Sequence, residues 1–171
     1  MSRPPAKGRG REPARLEAGA VRPPRLLAIS SYLAGNVARA ATRRLSRSLD
    51  EQGLRLGQHA VLSALRDFGP MAQYEIADRL DVDPSQVVGY VDRLEERKFV
   101  IRARDAQDRR RVLISITAEG VAAERYVTDA ARAIQDDLYQ ALSADEQAQL
   151  AVLLGRVIDA YDAARLGLSS D

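Results

Sequence analysis

The sequence predicts a mainly α chain carrying one small β-hairpin. Three observations lead there. Apolar residues recur at helical spacing along most of the chain. Aromatics are only 5% and tryptophan is absent, so the core must be built on Leu, Val, Ile and Ala, which suits packed helices better than a β-sandwich. One stretch, RARDAQDRRRVLISIT (102–117), departs from the helical pattern, with two short runs of strand formers flanking a polar tip.

Taken in order, residues 1–24 are rich in Pro, Gly and Arg and read as a flexible basic tail. The spacing allows a short helix around Glu12–Ala20. Residues 25–49 read as a helix with Leu26, Ile29, Leu33, Val37 and Ala40 on one stripe and Arg39, Arg43, Arg44 and Arg47 toward its end, where cations suit the helix dipole. Gly53 and Gly57 punctuate a loop. The next helix carries Val61, Leu62, Leu65 and Phe68 on one face and stops at Gly69-Pro70. A short helix follows over about Gln73–Leu80. Asp83 at an N-cap and Pro84 at the first helical position open another, running to about Arg97 with Val87, Val91 and Leu94 as its buried stripe.

Residues 100–104 and 112–116 form the two strands, and 105–111 make a tip too long for a two-residue turn. Thr117 caps a long helix with Ala123, Tyr126, Val127, Ala130, Ile134 and Leu138 on one stripe. Tyr126, Tyr139 and Tyr161 read as packing residues. Ser143-Ala-Asp-Glu146 is a capping box that opens the last helix, with Leu150, Leu153, Leu154, Val157, Ile158 and Tyr161. No internal repeat is visible.

Charge is clustered rather than large. The net charge is +2, yet residues 1–25 hold seven Lys/Arg against two Glu, and residues 97–111 hold seven against two Asp. Such clustering is the electrostatic footprint of nucleic-acid contact, with a solvated basic face as the plainer alternative. Cysteine is absent and there is one histidine, which excludes disulfides, thiolate zinc sites, thiol redox sensing and a multi-histidine metal site. No apolar run approaches the roughly 18–20 residues that span a bilayer, and the basic N-terminus lacks the apolar segment of a signal peptide. The expected location is the cytoplasm, at the nucleoid. No nucleophile motif and no Gly-rich phosphate loop stands out, so no catalytic residue, cofactor or metal is expected.

Two short helices joined by the brief Asp81–Asp83 turn are what a helix-turn-helix requires, and a charged hairpin after them makes a winged helix. With Val87, Val91 and Leu94 turned inward, the next-to-hairpin helix shows Ser85, Gly89, Asp92 and Arg93 outward, with Gln86 on the flank. In a major groove Gln86 suits adenine, Arg93 suits guanine or phosphate, and Gly89 lets the backbone come close. At the tip, Arg110 suits the minor groove, and Arg109 and Arg111 suit phosphates. Three adjacent cations repel one another unless an anion neutralises them.

The residues LGQHAVLSALRDFGPMAQYEIADRL (56–80) and VDPSQVVGYVDRLEERKFVIRARDAQDRRRVLISITAEG (82–120) resemble the MarR family of transcription regulators. The likeness is specific over about residues 54–120 and consistent in helix order from 25 to 166. It covers the recognition helix, the hydrophobic stretch after it, the wing and the Thr-x-x-Gly start of the next helix. The family's Asp-x-Arg signature falls on Asp108 and Arg110, which implies an ion pair orienting the arginine. Three positions depart from the pattern. Ala72 replaces a Ser or Thr cap, predicting a weaker helix start; Gly89 replaces a larger polar residue; and Phe99 replaces a glycine at the end of the recognition helix.

The resemblance implies a winged helix-turn-helix DNA-binding domain over 54–118, with 25–49 and 119–166 as a helical dimerisation region made of the first and last two helices. It implies a homodimer on double-stranded DNA with a palindromic operator, most simply a repressor relieved by a small acidic or phenolic ligand. Such a ligand would meet Tyr32, Asn36 and His59, and the lone histidine is also the natural titratable switch. A ligand-independent architectural DNA-binding protein and a helical protein–protein adaptor are the alternatives.

Overall fold

A computed structural model describes residues 22–167; the basic tail and the helix expected around Glu12–Ala20 lie outside the described residues, save for the tail's last three positions. The chain divides into two units between Arg39 and Ala40. The first holds α1 (Pro24–Leu27) and the opening turns of α2 (Ser30–Glu51). The single helix expected over 25–49 is therefore interrupted at Ala28 and Ile29. Pro23 and Pro24 set the start of α1, and its last turn closes with Ile29 N–H donating to the Leu26 carbonyl at 3.1 Å. Leu26, Leu27, Ile29, Leu33 and Val37 are all exposed.

The second unit continues α2 and adds α3 (Leu56–Phe68), α4 (Gln73–Leu80), α5 (Pro84–Glu96), β1 (Val100–Arg104), β2 (Val112–Ile116), α6 (Ala118–Leu138) and α7 (Ala144–Leu166). Its core joins Leu45 and Leu49 of α2, Leu54, Val61, Leu62 and Leu65, Ile76 and Ala77, Val87, Val91 and Leu94, Val100, Ile114, and Ala123 and Val127. Every one of these elements except α7 thus supplies apolar side chains to one cluster. The fold is mainly α with a two-stranded antiparallel wing, registered Val100 to Ile116 and Arg104 to Val112. Met71, just before α4, adds a bridge beyond the hairpin: it exchanges backbone hydrogen bonds with Ile114 at 3.2 and 2.9 Å.

Phe68 does not face the core. It sits at the end of α3, 58% exposed, with the Arg79 guanidinium over its ring, because Gly69 turns the chain away one residue later at φ 81°. Tyr126 also points outward, and its hydroxyl donates to Glu51 at 2.5 Å. The inward place it was expected to take on α6 is filled by its neighbours Ala123 and Val127.

The joint between recognition helix and wing is a Schellman close. Lys98 N–H donates to the Glu95 carbonyl at 2.8 Å and Phe99 N–H to the Leu94 carbonyl at 2.9 Å, with Lys98 in the left-handed region at φ 60°. Glycine would suit that position. The sequence departure at Phe99 is thereby explained, since Phe99 lies one residue past the strained one and packs against the core. Thr117 then locks the far end. Its hydroxyl donates to the Lys98 carbonyl (2.7 Å) and accepts from Gly120 N–H (3.1 Å). A Cβ on Gly120 would lie 2.1 Å from the Phe99 carbonyl oxygen, so only glycine allows α6 this close.

Candidate nucleic-acid interface

Helix α5 is fixed from its first residue. The Asp83 carboxylate accepts from Ser85 N–H at 2.8 Å and from the Ser85 hydroxyl at 2.5 Å. These bonds, the hydroxyl's first, hold the Asp83 carboxyl below its ordinary range. Pro84 stands at N1. Val87, Val91 and Leu94 are fully buried. Ser85, Gln86, Gly89, Asp92 and Arg93 are exposed, as the amphipathic spacing requires. Around Gly89 a Cβ would meet nothing within 4 Å, so that part of the face is open.

Sequence reasoning missed Val88, which is 45% exposed between Gln86 and Gly89. Two adjacent valines cannot share one helix stripe, and that was the available signal. An apolar side chain here is suited to a thymine methyl.

The wing tip is built by two aspartates acting on backbone. Asp105 accepts from Gln107 N–H at 2.8 Å and Asp108 from Arg110 N–H at 3.0 Å, both Asx turns. Asp105 N–H donates to the Arg111 carbonyl at 3.0 Å, and Arg111 N–H to the Asp108 carbonyl at 2.9 Å. The ion pair that the resemblance implied between Asp108 and Arg110 is not formed among the described residues. Asp108 instead orders the backbone from which Arg110 projects. Arg109 and Arg110 are exposed and have no carboxylate within ion-pair distance among the described residues. Arg111 differs. It pairs with Glu75 of α4 at 2.9 Å, and the Glu75 charge raises its already high pKa.

Glu75 has a second task. Its other oxygen accepts from Ala72 N–H at 2.7 Å, which supplies the cap that alanine cannot. That bond first, and the Arg111 charge after it, keep the Glu75 carboxyl below its usual range. One side chain therefore fixes the start of α4 and the root of the wing, and the helix start is not weak.

The candidate ligand residues fall in both units. On α2, Asn36 Nδ2 donates to the Tyr32 carbonyl at 2.7 Å, one turn back, and both residues are half-buried. On α3, His59 Nε2 lies 3.2 Å from the Thr128 hydroxyl. That hydroxyl donates its one proton to Glu124 at 2.6 Å, so Nε2 must be the protonated nitrogen of His59. Burial pushes the His59 pKa down, against the pull of Glu124. Glu124 is itself buried and takes further bonds from Ser63 (3.3 Å) and Arg66. Burial alone would raise its pKa; the bonds from Thr128 and Arg66 outweigh that and lower it. A buried carboxylate beside Ala123 is not legible from a helical stripe scored on apolar residues.

Among the described residues no group of His, Asp and Glu is arranged to hold a metal ion, and no helix is long and apolar enough to cross a membrane.

A capped helix with an open polar face, set beside a hairpin that projects arginines unpaired among the described residues, defines a winged helix-turn-helix transcription regulator. The MarR family model matches residues 54–112. The chain is 35% identical over 102 residues to the transcriptional repressor NicR of Pseudomonas putida, covering 60% of this chain and 65% of that one, just under two thirds of its length. It is 32% identical to the transcriptional repressor MdtR of Bacillus subtilis, covering 67% of this chain and 74% of the relative. Among solved structures it is similar to Bordetella bronchiseptica BpsR, whose DNA binding is regulated by 6-hydroxynicotinic acid, with a TM-score of 0.66, 26% identity, and coverage of 75% and 92%. The chain belongs to the MarR family of transcriptional regulators.

Proposed function

We propose that the chain is a homodimeric repressor that binds a palindromic operator. Each α5 would enter a major groove through Ser85, Gln86, Gly89 and Arg93, with Val88 against thymine. Each wing would place Arg110 in the flanking minor groove and Arg109 on phosphate. Arg111, tied to Glu75, would hold the wing root and reach phosphate only at the edge of the contact. Asp108 would shape the tip rather than touch DNA. The single observation that carries this reading is the pairing of α5's open face with two wing arginines that no carboxylate neutralises among the described residues.

Dimerisation would use residues 25–49 and 119–166. Its support is the exposed apolar surface of these helices, above all Leu153, Leu154, Val157, Ile158 and Tyr161 on α7. Two-fold symmetry then sets the recognition helices about 34 Å apart. Relief of repression by a small acidic or phenolic ligand is supported by the regulation of BpsR by 6-hydroxynicotinic acid. The candidate contacts are Tyr32, Asn36 and His59, each to be tested by its own substitution. A ligand releases DNA only through differential affinity for the DNA-incompetent state.

Selection of bound duplexes from random sequence, followed by salt titrations, tests the reading. It expects a palindromic consensus and a loss of affinity in Arg110→Ala with the dimer retained. Binding without sequence preference would instead favour an architectural protein, and no binding in dilute buffer an adaptor.

A further inference from the structure

Arg102, in the middle of β1, is ion-paired to both Asp92 and Glu95 of α5. Its own backbone N–H donates to Glu95 at 3.3 Å. Its side chain is 26% exposed, against 52% for Asp92 and 40% for Glu95. The cation is thus the inner member of the trio and the carboxylates are the outer ones. Asp92 lies two turns along from Ser85, on the same stripe as Gly89, which is the face assigned to the groove.

Asp92 on that face, with the half-buried Glu95 beside it on the flank, is a liability. Duplex DNA carries a phosphate charge about every 1.7 Å of axis, and at physiological salt charges are felt over roughly 8 Å. Without Arg102 the trio would present two negative charges to the phosphates; with it, one. The Arg102 guanidinium gives one N–H from Nη1 to Glu95 and one from Nη2 to Asp92, and it is also the least exposed of the three.

We propose that Arg102 strengthens DNA binding by screening Asp92 and Glu95 from the phosphates, without itself touching DNA. This rests on the assignment of α5 to the groove. Arg102 is a positioning residue, and its effect is carried by charge, so affinity should follow the net charge of the trio whichever member is changed. A purely mechanical brace between helix and wing would lose affinity when broken from either side.

The test is fluorescence-anisotropy titration of a selected operator at two salt concentrations, with thermal melting of every variant as a fold control. Arg102→Ala, with a trio charge of two negatives, should bind roughly tenfold more weakly. Asp92→Asn with Glu95→Gln should bind several-fold more tightly than the natural chain, because Arg102 is then uncompensated. All three substitutions together should bind at least as well as the natural chain. The differences should shrink at high salt. Loss of affinity in the Asp92→Asn, Glu95→Gln variant would make the trio a mechanical brace and overturn the proposal. A triple variant as weak as Arg102→Ala would mean that Arg102 contacts DNA itself, and would overturn it equally. The double variant keeps Arg102, so the proposal stays testable if Arg102→Ala fails to fold. A natural chain that binds no duplex would remove the functional reading and this one with it. A natural chain that binds and depends on Arg110, but shows no charge ordering in the trio, would remove only this one.

Discussion

Helices α5 and α7 are both regular, well-capped and rich in aliphatic side chains, yet they meet opposite fates. In α5, Val87, Val91 and Leu94 are fully buried within the chain. In α7, a helix of 23 residues, no residue is buried. Val152, Leu153, Leu154, Val157, Ile158 and Tyr161 all stand exposed. The cap of α7 is as complete as that of α5, with Ser143 and Glu146 bonding each other's backbone N–H at 3.3 and 2.8 Å. Capping fixes where a helix begins; it does not say what will cover its sides. The difference teaches that the same helical pattern can be covered within the chain or left uncovered by the described residues. A second copy is the occupant that the functional proposal supplies.

That contrast can be broken from the buried side first. Gly120→Ala is one of two changes expected to have the largest effect, since the new Cβ would meet the Phe99 carbonyl oxygen at 2.1 Å. The start of α6 would have to move off the recognition-helix joint. Urea unfolding should show a loss of about 3 kcal/mol, the upper end for overpacking, or no folded protein at all. A loss under about 1 kcal/mol would mean that the close approach is not required. Leu94→Ala is the other, at about 2–5 kcal/mol by the same measurement. On α7, Val157→Asp should leave the circular dichroism spectrum unchanged and convert the chain to a monomer by sedimentation, because Val157 is 68% exposed among the described residues. A dimer that survives this change would place the interface elsewhere.

A smaller effect of opposite sign tests the joint. Lys98 holds φ 60°, a conformation that costs a side-chain-bearing residue about 1 kcal/mol. Lys98→Gly should therefore stabilise by up to about 1 kcal/mol in thermal or urea unfolding. Destabilisation would mean that the lysine side chain makes a contact worth more than the strain.

The smallest expected effect is a pH dependence. Burial lowers the His59 pKa in the folded chain, so the unfolded chain binds the proton more readily. Above the unfolded value of about 6.5 both states are neutral and nothing is lost. As pH falls from there toward the folded value, stability declines, and below the folded value the loss is complete. His59→Gln should flatten the fall in stability that sets in below about pH 6.5. An unchanged profile would show that His59 does not titrate differently in the two states.

How much of this was legible in the sequence depended on whether local chemistry or distant contact decided the outcome. Asp83-Pro84, Thr117 and Ser143–Glu146 marked three helix starts to the residue, because caps are short-range. The strands 100–104 and 112–116 followed from their apolar runs. The break at Ala28–Ile29 escaped, since no glycine or proline marks it. The exposure of Phe68 and Tyr126 also escaped, because a stripe of 3.6 periodicity tolerates one member swinging outward. The Ala72 start looked weak and is firm, and Arg111 looked free and is paired. Both follow from Glu75, whose reach to the root of the wing 36 residues away is invisible to any local pattern. The Asp-x-Arg signature placed Asp108 and Arg110 at the tip of the wing, while the bond that Asp108 makes, to backbone rather than guanidinium, needed coordinates.

The central claim is that two chains together read one symmetric duplex, each through α5 and its wing. Analytical ultracentrifugation of the chain with a selected operator, followed by hydroxyl-radical footprinting of the same complex, tests it most directly. The account predicts two chains per duplex, with protected half-sites about one helical turn, or 10–10.5 base pairs, apart. One chain per duplex, or protection with no two-fold symmetry, would contradict it.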